Sequence, residues 1–254
     1  MTSDHASALF YIETMEYAEH IDAVESATTA IVDALRRTPL DAPVPSCPDW
    51  VLRDLAAHVW DFTGFWTHVV CEATGRPKTP FAAFPVADVA DGYAGLAASM
   101  VSELRAATPD TPAWSWVTDR QDVRFAARRM AHELTIHRVD VQLAGGGHEP
   151  IAADLAADGI EEIFVMIGAF GPPAGTGTGE TLHLHGTDRG DEWMIAMTPD
   201  GLRVDRSHAK AAMAIRGAVS DLELALYGRP PVAAIERFGD EGVMTAWRTA
   251  FTFG

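Results

Sequence analysis

The sequence predicts two successive domains, a helical N-terminal four-helix bundle followed by a small α+β domain. Three observations carry that prediction. Apolar residues recur at helical spacing as far as Leu143. A glycine-rich break, Ala144-Gly145-Gly146-Gly147-His148-Glu149-Pro150, follows. Beyond a further helix, short runs separated by turn residues replace the long periodic segments. The boundary is placed at the break, giving domains 1–145 and 146–254.

In the first domain, Tyr17, Ile21, Val24, Thr28, Ile31 and Leu35 line one face of a helix ending near Arg37-Thr38-Pro39. Pro39 to Pro48 is a connector. A second helix is expected from Trp50 to Cys71, closed by Gly75-Arg76-Pro77. The third covers Val86 to Ala107 and stops at Thr108-Pro109, and the fourth covers Val123 to Leu143. After the break, Ala152 to Gly168 reads as helix and Gly171 to Gly179 as a loop. Strands are expected at Thr181–Thr187, Trp193–Thr198, Leu202–Ser207 and Ala211–Arg216, with turns at Asp188-Arg189-Gly190-Asp191 and Pro199-Asp200-Gly201. Ser220-Asp221-Leu222-Glu223 has the capping-box pattern of a helix start. A last helix covers Glu241 to Phe251.

Charge narrows the function classes. The chain has 19 basic and 36 acidic residues and a net charge of −17, which excludes nucleic acid and anionic membranes as partners, since both demand basic surface. With 48% hydrophobic residues the acidity does not come from a disordered tail. Cys47 and Cys71 make no disulfide framework, and the N-terminus lacks a basic leader, so a cytoplasmic protein is expected. The longest apolar stretch, Ile160 to Phe170, carries Glu161 and Glu162 and is too short for a transmembrane span.

Placing each histidine on its helix isolates the chemistry. At about 100° per residue, His58 falls within the stripe of Val51, Leu55, Phe62, Phe65, Trp66 and Val69. Glu133 and His137 share the face of Ala126, Met130, Leu134, Val141 and Ala144, about 40° apart. His132 points roughly 120° from that stripe's centre. Three metal-binding side chains thus stand where a bundle calls for leucine, and a buried carboxylate is costly unless paired or bound to a cation. Two imidazoles and a carboxylate suit Zn²⁺ with one open position. A hydrogen-bonded core histidine, and a Glu133–His137 or arginine pairing, are the competing explanations.

Other motifs are weaker. His132-Glu133-Leu134-Thr135-Ile136-His137 spaces its histidines five apart, about 140° around the helix, so it is not a zinc-protease H-E-x-x-H. His183 and His185 share a strand face, which permits a metal site, but no third ligand is placed with them. Cys47 has no activating neighbour. Gly175-Thr176-Gly177-Thr178-Gly179 lacks the lysine of a phosphate loop, and Trp114 and Trp116 read as packing.

Two segments carry a family resemblance. Ser46-Cys47-Pro48-Asp49-Trp50-Val51-Leu52-Arg53-Asp54-Leu55-Ala56-Ala57-His58 resembles the C-P-x-W-[TS]-V-x-D-L-x-x-H segment of mycothiol-dependent maleylpyruvate isomerase-like proteins. Arg128-Arg129-Met130-Ala131-His132-Glu133-Leu134-Thr135-Ile136-His137-Arg138-Val139-Asp140 resembles that family's second motif. The likeness continues through Leu182–Asp188, Trp193 and Gly217–Leu222 to Gly228-Arg229. Val51 departs from the usual Thr/Ser, which costs the helix a side-chain cap worth about 1 kcal/mol.

The resemblance implies a DinB-like metal-binding bundle plus a sterol-carrier-like C-terminal domain. It further implies zinc held by His58, Glu133 and His137, and mycothiol, a low-molecular-weight thiol of actinobacteria, as cosubstrate. Arg229 is the best match to a functionally important arginine of the second domain, with Arg216 the second choice. The reaction so implied is attack of an activated thiol on a small electrophile, giving cis–trans isomerisation or S-transfer. A mycothiol S-transferase acting on a neutral electrophile, or a non-catalytic small-ligand-binding protein, is the alternative.

Overall fold

The computed structural model describes residues 12, 14–72, 75–76, 83–85, 87–170 and 177–251. The start of the chain, Pro77, Val86 and residues 171–176 of the expected loop lie outside the described residues. The chain forms two compact units, Met15–Glu149 and Pro150–Gly254 together with Thr14.

The first unit is a four-helix bundle of α1 (Tyr17–Arg37), α2 (Leu52–Glu72), α3 (Val89–Ala106) and α4 (Val123–Ala144). Each helix packs on two others, α1 on α4 and α3, and α2 on α3 and α4, which closes the ring. Helix starts are written locally. Asp122 caps α4 by accepting from the Phe125 N–H at 2.8 Å. Val51 supplies no side-chain acceptor, yet its N–H donates to Asp54 Oδ2 at 3.0 Å, so half of a capping box survives at α2.

Helix α4 departs from the sequence reading. Between Val123 and Val141, only Arg124 and Glu133 are not buried. His132, expected to point away from the apolar stripe, is fully buried. A wheel argument assumes one buried face, and α4 is enclosed around nearly its whole circumference. Trp66, Trp114, Trp116, Phe65 and Phe125 form one edge-to-face aromatic cluster, as packing residues should.

The second unit opens with α5 (Ala153–Phe170) and continues with β1 (Glu180–Gly186), β2 (Glu192–Thr198), β3 (Gly201–Asp205), β4 (Met213–Gly217), α6 (Val219–Leu226), β5 (Glu236–Gly239) and α7 (Gly242–Ala250). The sheet order is β3-β2-β1-β4-β5, with β1 and β4 parallel and the other pairs antiparallel. Leu182, Leu184, Trp193, Ile195, Met197, Met213 and Ile215 point to the buried face, against which α6 and α7 pack. His183, His185, Glu192 and Met194 alternate onto the other face. Gly190 (φ 80°) and Gly201 (φ 120°) supply the left-handed residues of the two expected turns.

Two expectations are corrected here. Strand β5 has no counterpart in the sequence reading. The capping box at Ser220 is not one: α6 begins at Val219, Ser220 accepts from the Ile151 N–H, and Asp221 accepts from the Val232 N–H. No helix among the described residues is long and apolar enough to cross a membrane.

Candidate metal centre

The bundle brings His58 of α2 together with Glu133 and His137 of α4. Helical spacing sets Glu133 and His137 one turn apart on α4, and the α2–α4 packing delivers His58 to them. His58 Nε2 lies 3.1 Å from His137 Nε2, and His137 Nε2 lies 3.2 Å from Glu133 Oε1. The third edge of the triangle, His58 Nε2 to Glu133 Oε1, is 3.6 Å. The site is not closed off. The His137 side chain is 5% exposed, Glu133 25% and His58 38%, so His58 sits at the rim and not, as its stripe suggested, in the core.

Each ligand candidate is held from behind. Fully buried Asp140, one turn beyond His137, lies 3.0 Å from His137 Nδ1. A carboxylate only accepts, so the His137 proton sits on Nδ1 and the Nε2 lone pair faces the triangle. Arg129, one turn before Glu133, donates to Glu133 Oε2 and leaves Oε1 to the histidines. The Trp50 ring stands 5.5 Å from that of His58. Desolvation, then the nearby His137, pushes the His58 pKa down to about 4, against the opposing pull of Asp61 and Asp140. His58 is therefore neutral at physiological pH.

These facts test whether a divalent cation fits. With its proton on Nδ1, His137 presents an acceptor nitrogen to an acceptor carboxylate oxygen at 3.2 Å. These facing lone pairs can be bridged by a proton from His58 Nε2, 3.1 Å from His137 Nε2, or by a cation that replaces it. Tetrahedral ligands at about 2.0–2.1 Å from zinc stand about 3.3–3.4 Å apart, and the three observed edges bracket that spacing. The donor set and its spacing fit Zn²⁺.

Residues 21–142 match the family described as the mycothiol maleylpyruvate isomerase N-terminal domain. The bundle belongs to that family. Two solved structures resemble nearly the whole chain. The crystal structure of the mycothiol-dependent maleylpyruvate isomerase has a TM-score of 0.61 at 13% identity, covering 88% of this chain and 93% of its own. A histidine-to-alanine mutant of that enzyme gives 0.59 at 13% identity, covering 85% and 90%. At that identity the likeness shows a shared fold, a helical domain followed by an α+β domain. No curated protein matches the chain by sequence.

The remaining sequence candidates belong to the C-terminal unit or play other parts in the bundle. Arg229 belongs to the C-terminal unit, where it is buried, donates to the Tyr227 carbonyl at 2.7 Å and stands 5.9 Å from the Tyr227 ring. Arg216 is exposed on β4 and pairs with Glu236 at 2.6 Å. Cys71, on α2, has its thiol pKa raised by desolvation and by the Glu103 carboxylate, the reverse of an activated nucleophile. Asp140 and Arg129 were missed as site residues, although spacings of three and four from His137 and Glu133 were a readable signal. His183 and His185, left without a third ligand in the sequence, have Glu192 and His208 beside them.

Proposed function

We propose that the protein is a zinc-dependent, mycothiol-using enzyme that activates a thiol for attack on a small electrophile, by cis–trans isomerisation or S-transfer. The convergence of His58, Glu133 and His137 in a bundle of this family carries the reading. Zinc bound by these three residues would supply Lewis acidity that lowers a thiol's pKa, so that a thiolate is available at neutral pH. The chain's own residues set the conditions for that chemistry. Asp140 keeps the His137 proton on Nδ1, Arg129 occupies Glu133 Oε2, and desolvation keeps His58 neutral. In this account the bundle, residues 1–145, carries the metal, and the domain 146–254 supplies Arg229 to orient an anionic thiol or substrate, with Arg216 the second candidate. No protein nucleophile is needed. Thiolate addition to a cis double bond, rotation and elimination return the thiol and the trans isomer; addition without elimination leaves an S-conjugate.

The resemblance to a mycothiol-dependent maleylpyruvate isomerase supports the isomerase form. The net charge of −17 favours the second form, S-transfer to a neutral electrophile, because a carboxylate substrate meets a repulsive field. Two cysteines outside any disulfide, and the proposed use of a small thiol, favour a reducing cytoplasm. The test is to supply mycothiol with a panel of electrophiles that includes maleylpyruvate, following thiol loss and isomer formation together. Isomer without net thiol loss marks the isomerase, and steady thiol consumption marks the transferase. Neither process, or the same rate in His58→Ala, overturns the reading.

A further inference from the structure

The C-terminal unit holds a second convergence of metal-binding side chains, independent of the bundle. Strand alternation places His183 and His185 on one face of β1, and the β1–β2 register sets Glu192 directly opposite His185. His183 Nε2 bonds Glu192 Oε2, and His185 Nδ1 lies 2.6 Å from Glu192 Oε1. A third imidazole arrives from the segment between β3 and β4, with His208 Nδ1 at 3.2 Å from the same oxygen. Its ring stands edge-on to that of His183, centroids 4.9 Å apart.

The segment carrying His208 is tied down at both ends. Arg206 makes a two-pronged pair with Glu161 of α5, which is itself held by the Trp193 indole at 2.9 Å. The Ala212 N–H donates to Thr181 Oγ1 at 2.8 Å. The two oxygens of Glu192 accept all three imidazoles, and the same ring nitrogens and carboxylate oxygens can ligate a cation once it displaces the shared protons.

We propose that His183, Glu192 and His208 form a second divalent-cation site, taking Zn²⁺ or a similar first-row ion. Their donor atoms lie within 4.8 Å of one another. Imidazole and carboxylate without thiolate is a set for borderline divalent ions. His185 is the positioning residue, holding Glu192 Oε1 at 2.6 Å. His183 is buried and His208 exposed, so an ion here clips the β3–β4 segment onto the β1–β2 hairpin and keeps one side open to solvent.

The test uses full-length protein carrying His58→Ala and His137→Ala, which removes the bundle triad, titrated with Zn²⁺ alone. One equivalent is expected to bind and to raise Tm. Adding His183→Ala and His208→Ala abolishes both effects, while adding His185→Ala instead weakens binding by about 10–100-fold. His208 is exposed, so His208→Ala alone tests the site with little risk to folding, and circular dichroism checks each variant. No binding in the His58→Ala/His137→Ala protein overturns the proposal. So does binding that His208→Ala and Glu192→Gln leave unchanged.

Discussion

Asp140 holds the Nδ1 proton of His137 from one helical turn away, at 3.0 Å and fully buried. This pair decides which nitrogen of His137 is free for a metal. Asp140→Asn offers an amide that can donate and so permits the wrong tautomer. Zn²⁺ affinity at the bundle triad should fall about 10–100-fold with helicity retained. Competition against a chelator measures it, and an unchanged affinity would show that Asp140 does not act on the metal.

Arg129 should matter to the same site through Glu133. It is buried and bonded to Glu133 Oε2. Arg129→Met removes a charged hydrogen bond and should cost about 1.5–3 kcal/mol in denaturant unfolding of the metal-free protein. Added Zn²⁺ should restore part of that loss, because the freed carboxylate still binds it.

Tyr93 gives an alkaline signature. Its hydroxyl is buried beside Thr63 at 3.2 Å, and burial pushes its pKa well above the ordinary phenol value. In the unfolded chain the phenol loses its proton above about pH 10, whereas in the folded protein it keeps it. The unfolded state then binds fewer protons, so stability falls as pH rises beyond about 10. Tyr93→Phe should lower Tm modestly at neutral pH and show a shallower decline between neutral and alkaline pH than the wild type.

Trp66 anchors the aromatic cluster between α2 and the segment before α4, at 1% exposure. Trp66→Ala should cost about 3–5 kcal/mol, read from urea unfolding. A loss below 1 kcal/mol, on the order of a surface substitution, would mean the cluster repacks around the gap.

Much of this was legible in the residues. Helices α1 to α4 declared themselves because each has long apolar periodicity closed by Pro, Gly or a cap. Strand β5 was invisible because all four of its residues are exposed and carry no alternation. Ser220 misled because its hydroxyl is taken by a distant backbone N–H, that of Ile151, which no local pattern announces. At the candidate metal centre, Glu133 and His137 were readable from helical spacing, and His58 from its place on a stripe. The tautomer set by Asp140 depends on a ring rotation, which spacing alone does not give. His132 was misplaced because α4 is enclosed nearly all round. Glu192 and His208 could not be joined to His183 without the hairpin register and the return path of the β3–β4 segment.

The central claim is that a metal held by His58, Glu133 and His137 takes up a thiol. Its most direct test is the absorption spectrum of the Co²⁺-loaded protein on addition of mycothiol, in the His183→Ala/His208→Ala background so that cobalt reports on the bundle alone. The account predicts an intense near-ultraviolet thiolate-to-cobalt charge-transfer band that saturates with mycothiol and is lost when His58→Ala is added. A cobalt spectrum that saturating mycothiol leaves unchanged would contradict it.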